Sequence, residues 1–221
     1  LVDKNLLLPW DDKIQDMDLS DFAAVIDGGK FDGTYYGLPY RTSSSIMYYN
    51  KTMFDEAGVA YPEEGWTYDD MLEIAKKLTI PGEQYGVGIA ASNADPSNVF
   101  MTLSPIVWSY GADFLNEDQT ECTLNTPEAM EAVRFFTGLY TTEKVTPEGV
   151  INYTMTKDIM PLFIENKVGM MMGGDQNAVE FDTNYPDLKY GFCVPPKSPA
   201  SSGGWMFTVP VTAKNPDAAF D

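Results

Sequence analysis

The chain has 221 residues, of which 33 are acidic, 14 basic and none histidine, giving a formal net charge of -19. An acid excess of this size repels phosphate backbones and anionic lipid surfaces, which argues against nucleic acid and membrane surfaces as partners. Without imidazole there is no Ser-His-Asp or Cys-His catalysis and no histidine-ligated zinc, while 44% hydrophobic and 13% aromatic residues are the composition of a globular protein.

In chain order, Tyr35-Tyr36-Gly37-Leu38-Pro39 reads as a short strand closing at its proline, and Ser45–Tyr49 as a buried strand ending at Asn50. A short helix, Thr52 to Ala57, is stopped by Gly58. Trp66-Thr67-Tyr68-Asp69-Asp70-Met71 predicts a helix start of the capping-box type, with Trp66 stapled to Met71; the helix buries Met71, Ala75 and Leu78. Its Lys76-Lys77 is the densest basic doublet in the chain. Residues 84–90 read as a glycine-punctuated strand and 98–110 as a second helix ended by Gly111. A hairpin-like acidic stretch follows, from Asp113 to Leu124.

Asn125-Thr126-Pro127-Glu128 starts a long helix with Ala129, Val133, Phe136 and Tyr140 on its apolar face. A further helix spans about 159–165, with Asn166 as a left-handed stop. Val168–Met172 is a strand running into Gly173-Gly174, and 175–181 the next helix. Residues 195–204 form the one linker-like stretch, and Trp205 follows it. Strands alternating with helices at these intervals predict an α/β fold. The chain opens at Leu1-Val2-Asp3 without a signal-type segment and stops one turn into a helix at Asn215-Pro216-Asp217, which reads as a piece of a longer protein. No apolar run approaches the roughly 20 residues of a membrane span. Cys122 and Cys193, both flanked by strand-like residues, read as buried free thiols, with a disulfide left open.

Acid pairs invite a glycosidase reading, in which one carboxyl is the acid and the other the nucleophile. Asp11-Asp12, Glu63-Glu64, Asp69-Asp70 and Glu117-Asp118 instead fall in turns or first helical turns, where the helix dipole favours acids. Asp113, Asn116, Asp118 and Glu121 offer oxygen ligands but lack the glycine and spacing of a calcium loop, so no metal or other cofactor is expected. Gly28-Gly29 and Gly203-Gly204 have no Lys-Ser/Thr partner and are not phosphate loops.

Three stretches are suited to binding. Gly173-Gly174-Asp175-Gln176-Asn177 lies between a strand and a helix, where α/β folds place ligands; the alternative is a plain tight turn. Tyr40-Arg41-Thr42-Ser43-Ser44-Ser45 is a run of hydrogen-bonding side chains after a strand; the alternative is a solvated loop. Trp205, a large ring on a flexible diglycine approach, suits stacking on a sugar; the alternative is a core tryptophan. Trp108 and Tyr110 read as core.

The order Tyr36-Gly37-Leu38-Pro39, Met47-Tyr48-Tyr49-Asn50-Lys51, Phe54-Asp55-Glu56-Ala57-Gly58 and Trp66-Thr67-Tyr68-Asp69 resembles the bacterial extracellular solute-binding proteins. Within them it is most similar to the sugar-binding, maltose-binding-protein-like group of ABC importers. The succession continues with Gly111-Ala112-Asp113-Phe114, Asn125-Thr126-Pro127-Glu128-Ala129, Lys167-Val168-Gly169-Met170, Gly203-Gly204-Trp205 and Asn215-Pro216-Asp217-Ala218-Ala219. The resemblance covers residues 31–221. It implies a two-lobed type II periplasmic-binding-protein-like fold, here without the start of lobe I and the C-terminal helices. Residues 1–49 and 191–221 would belong to lobe I and 50–190 to lobe II.

It also implies an extracytoplasmic binder, periplasmic or lipid-anchored, that is not an enzyme: it closes on a mono- or oligosaccharide and delivers it to the membrane subunits of an ABC permease. The positions matching the family's ligand contacts are Arg41, Ser43, Asp175, Gln176 and Trp205. Family members often have an aromatic where Gln176 stands, a departure that bears on the sugar type. Three other readings stay open: a ferric site built on Tyr35, Tyr36, Tyr48 and Tyr49, a polyamine site using the acid surplus, and a glycoside hydrolase. Adjacent tyrosines in a strand point to opposite faces, which favours packing over iron.

Overall fold

The computed structural model describes residues 1–196 and 202–220. After a short helix α1 (Asp11–Ile14), strands β1 (Lys30–Phe31) and β2 (Thr34–Tyr35) form a hairpin that turns at Asp32-Gly33. Both turn residues have positive φ, 47° and 84°, the backbone of a primed two-residue turn that Asp-Gly favours. Strand β3 (Leu38–Asn50) follows and is 13 residues long. The expected stop at Pro39 is therefore corrected: the proline is the second residue of β3, near a strand end, where a missing ladder donor is tolerated.

Asn50 ends β3 and caps α2 (Lys51–Ala57), its Oδ1 accepting from the Met53 N–H at 3.1 Å; Gly58 closes the helix in the left-handed region. The Asn50 amide also donates to the Phe163 carbonyl and to Asn166 Oδ1. Helix α3 (Tyr68–Leu78) carries the predicted capping box, in which Thr67 Oγ1 accepts from the Asp70 N–H and the Asp70 carboxylate from the Thr67 N–H. Strand β4 (Tyr85–Gly88) then packs backbone to backbone on α3. A Cβ on Gly86 would fall 2.1 Å from the Ala75 carbonyl oxygen, and Thr79 Oγ1 bridges that carbonyl and the Gly86 N–H.

Helices α4 (Pro96–Ser109) and α5 (Pro127–Thr141) pack on one another. The buried face of α5 is Ala129, Ala132, Phe136 and Leu139, rotated from the predicted Val133 and Tyr140, which are half-buried. Between the two helices the acidic stretch makes one isolated bridge, Leu115 to Cys122, and Asn116 Oδ1 accepts from the Thr120 and Glu121 N–H groups. Cys122 is exposed there, against expectation, because that bridge does not extend into a sheet; both thiols are free.

A π-helical turn at Met155–Ile159 runs into α6 (Met160–Ile164), and Asn166 takes the predicted left-handed stop at φ 58°. The chain continues through β5 (Val168–Gly174), α7 (Gln176–Asn184), β6 (Tyr190–Cys193), β7 (Ser202–Phe207) and α8 (Pro216–Phe220).

The chain divides into two compact units, Leu1–Ser43 with Ser202–Asp221, and Ser44–Ser201, so that one boundary falls inside β3. In the larger unit the strand order is β4-β5-β3-β6, with β5 parallel to β4 and antiparallel to β3. A strand covered on both faces needs apolar residues in succession, which is why Val168–Met172 is a continuous buried run. Period-2 alternation sorts the side chains: Met47, Met170 and Met172 join α3, α4 and α5 in one core, while Tyr48 and Met171 join Ile159, Phe163 and Phe181 in the other. Phe163 is fully buried, and truncating such a ring to alanine costs about 3–5 kcal/mol.

The smaller unit has a compact core of Trp10, Ile14, Ile26, Leu38 and Val209, closed by the Phe220 ring edge-on to Trp10 at 4.8 Å. These elements are α/β, as predicted.

Candidate functional site

In the smaller unit the site residues are set by β3 and β7. Gly204 lets the two backbones approach, since a Cβ there would fall 2.6 Å from the Arg41 carbonyl oxygen. The two glycines therefore lie within β7 and are no flexible approach, a correction to the sequence reading. Of the linker-like stretch, 197–201 lie outside the described residues. Trp205 is 50% exposed, which removes the core alternative, and the Arg41 guanidinium sits 5.0 Å from its ring centroid. Phe207, two residues on and on the same strand face, packs on Tyr40 at 4.5 Å between centroids, and both rings are more than half exposed. Ser43 is buried in β3. An exposed indole on a strand, with a guanidinium over one face, can stack on an apolar sugar face and hydrogen-bond its hydroxyls.

In the larger unit the turn from β5 into α7 carries Asp175 and Gln176, both exposed. Asp175 caps α7, its Oδ1 accepting from the Gln176 N–H at 3.1 Å. The Gln176 amide folds back over Gly174, where a Cβ would meet its Oε1 at 2.2 Å. Two side chains hold the turn from beneath. Asn177 Oδ1 accepts from the Gly174 N–H at 3.0 Å. The fully buried Tyr48 donates its O–H to the Gly174 carbonyl at 2.8 Å and accepts from the Ala178 N–H at 3.1 Å. Gly173 has no room for a side chain either, since a Cβ would lie 3.1 Å from the Tyr48 ring and 2.7 Å from Asn177 Oδ1.

The electrostatics bear on the competing readings. Burial pushes the Tyr48 phenol up to about 12 and raises Tyr49 as well, so both oppose the phenolate that a ferric ligand requires. The Lys30 ammonium lies 4.8 Å over the Tyr35 ring. Asp70 and Asp18 are both shifted down, Asp70 by hydrogen bonds from the Thr67 side chain and backbone and Asp18 by hydrogen bonds from Ser20. A glycosidase acid needs a shift in the opposite direction.

Trp108 is only half-buried, contrary to the core expectation. Its Nε1 donates to Asp113 Oδ1 at 3.2 Å, and Phe100 packs edge-on to its ring. Phe207 has no part in the sequence reading of the site, which names Tyr40 only within its hydrogen-bonding run and Tyr48 only as a ferric ligand; alternation along β3 and β7 is the signal that points to the two exposed rings. Among the described residues no helix is long and apolar enough to cross a membrane.

The family whose sequence model matches is described as bacterial extracellular solute-binding protein, and the match runs over residues 1–221. A binding protein of Brucella abortus is 34% identical over 174 residues, 78% of this chain and 40% of that protein. The arabinooligosaccharide-binding protein of Halalkalibacterium halodurans is 28% identical over 202 residues, 90% of this chain and 43% of that protein. Among solved structures, the ABC substrate-binding protein of Listeria monocytogenes in complex with cycloalternan superimposes with a TM-score of 0.85 at 27% identity, over 99% of this chain and 56% of that one. The chain thus spans about two fifths of the two curated relatives and just over half of the solved structure. Its fold is that of the type II periplasmic binding proteins.

Proposed function

Because the chain belongs to the bacterial extracellular solute-binding protein family, we propose that it forms part of the extracytoplasmic binding component of an ABC importer, taking a mono- or oligosaccharide and delivering it to the permease subunits. The carbohydrate reading rests on one observation above the rest: Trp205 is half exposed on a strand, with the Arg41 guanidinium over its ring. Core packing does not require an indole in that position, whereas its exposed face is a surface on which a pyranose can stack. The proposed ligand contacts are Arg41, Ser43, Asp175, Gln176 and Trp205. By the same analogy, the two compact units are parts of the two lobes. The relative that binds arabinooligosaccharide and the solved structure holding cycloalternan support an oligosaccharide.

The test is titration calorimetry of the intact protein with arabinooligosaccharides, cycloalternan, maltotriose and mannitol, followed by indole fluorescence. Binding of one of these, with a change in tryptophan emission that Trp205→Phe abolishes, supports the reading. Binding of a polyamine or ferric iron with no response to any carbohydrate overturns it, as does turnover of a chromogenic glycoside.

A further inference from the structure

We propose that Tyr48 is a positioning residue of the ligand site: from its buried place in β3 its hydroxyl fixes the turn that presents Asp175 and Gln176, and so sets the affinity for the carbohydrate. The inference rests on the reading of Asp175 and Gln176 as ligand contacts. Tyr48 lies across the strand pairing from the turn, with Ser45 of β3 registered against Gly174 and Tyr48 itself against Met171. Its side chain therefore reaches along the sheet face to the end of β5. There the hydroxyl uses both of its capacities, donating to the Gly174 carbonyl at 2.8 Å and accepting from the Ala178 N–H at 3.1 Å. Those two groups bracket Asp175 and Gln176, so one oxygen ties down the last residue of the strand and the first turn of the helix.

The rest of the surroundings serves the same end. The Tyr48 ring is held edge-on by Phe181 at 5.5 Å, and Tyr190 lies at 5.9 Å. Gly173 carries no side chain where the ring passes. Asn177 Oδ1 accepts from the Gly174 N–H, and the Gln176 amide rests on the same glycine. A shift of Gly174 thus moves Gln176. In Tyr48→Phe the ring and its packing remain, but both hydroxyl bonds are lost: the Gly174 carbonyl loses its side-chain donor, and the Ala178 N–H is left to the Asp175 carbonyl at 3.2 Å.

The experiment measures backbone amide exchange and carbohydrate affinity in the intact protein. Without sugar, Tyr48→Phe is expected to speed exchange across Gly174–Ala178 by about tenfold, leaving α3 and α5 unchanged. With maltotriose, arabinooligosaccharide and cycloalternan as probes, whichever binds should weaken by roughly three- to tenfold, the range expected for losing a net hydrogen bond. Gln176→Ala should cost less in the Tyr48→Phe background than alone, because the two act through one turn. Leu139→Ala, which opens a cavity in the other core of the same unit and touches neither the Tyr48 ring nor its hydroxyl, should lower the melting temperature and leave affinity in place. Unchanged affinity in Tyr48→Phe, or strict additivity with an effective Gln176→Ala, overturns the proposal. If Asp175→Ala and Gln176→Ala leave every probe's binding intact, the ligand reading of the turn falls and the proposal with it. That failure is told apart by the exchange measurement, which needs no sugar.

Discussion

The Arg41 guanidinium stands 5.0 Å from the centroid of the Trp205 ring, so protein already occupies one face of this half-exposed indole. A sugar that stacks on Trp205 has the opposite face to use.

Trp205→Ala should therefore weaken carbohydrate binding by about tenfold, since aromatic stacking contributes roughly 0.5–1.5 kcal/mol beyond burial and ~1.4 kcal/mol is a factor of ten. Because the ring is 50% exposed, the ligand-free melting temperature should hardly move. Intact affinity together with a loss of the ~3–5 kcal/mol typical of an emptied core site would assign the indole to packing after all.

Alkaline titration should report the buried phenols. Burial pushes Tyr48 up to about 12, and burial together with the Asp182 hydrogen bond does the same for Tyr190; Tyr68 is raised further by burial alone. In each case the folded value lies above the unfolded one, so the stability these groups lend is complete below about pH 10 and is lost as pH climbs toward the folded values. Following phenolate absorbance, these three of the 13 tyrosines should ionise together with alkaline unfolding. A single step near pH 10 for all tyrosines in the folded protein would contradict the burial argument.

Thiol labelling should separate the two cysteines. Cys122 is exposed, whereas burial lifts the Cys193 thiol to about 11 and its Sγ lies 3.8 Å from the Met47 carbonyl oxygen. One equivalent of a disulfide reagent should react quickly at neutral pH and the second only in denaturant. Two fast equivalents would show that the β6 end of the sheet opens readily.

Legibility followed the range of the interactions. The α3 capping box is written in six consecutive residues, and the Gly58 and Asn166 stops each in one, so local chemistry sufficed to place them. β5 is legible because a strand covered on both faces must be apolar throughout. The Asp32-Gly33 hairpin is equally local, but its strands are two residues each and too short to show an alternation. Pro39 misleads as a stop, because whether a strand can carry a proline depends on which edge its nitrogen faces. Tyr48 is beyond sequence reasoning altogether: its carbonyl partner lies 126 positions away, and a tyrosine in an apolar strand has the same pattern whether its hydroxyl is bonded or not.

Thr67→Ala should test the capping box directly. It removes the acceptor for the Asp70 N–H and the hydroxyl bond to the Asp70 carboxylate, which the Thr67 side chain and backbone hold below its ordinary range, while the backbone bond stays. The folded carboxyl value is depressed, so this contribution is present above the unfolded value near pH 3.9 and is lost as pH falls through the folded one. A fall in melting temperature of roughly 2–4 °C at neutral pH, shrinking in acid, is expected in thermal scans. An effect independent of pH would assign it to the hydroxyl alone.

Where Gly86 of β4 meets Ala75 of α3, main chain touches main chain. Elsewhere in a core, rotamers can shift to absorb a small displacement, but a seam without side chains has nothing to repack. Helix and strand are therefore a single mechanical tile, either seated or apart, with no loosened state between. Gly86→Ala would not thin this contact by degrees: it would wedge the whole helix off the sheet, taking Met71 and Leu78 out of register with the core they fill.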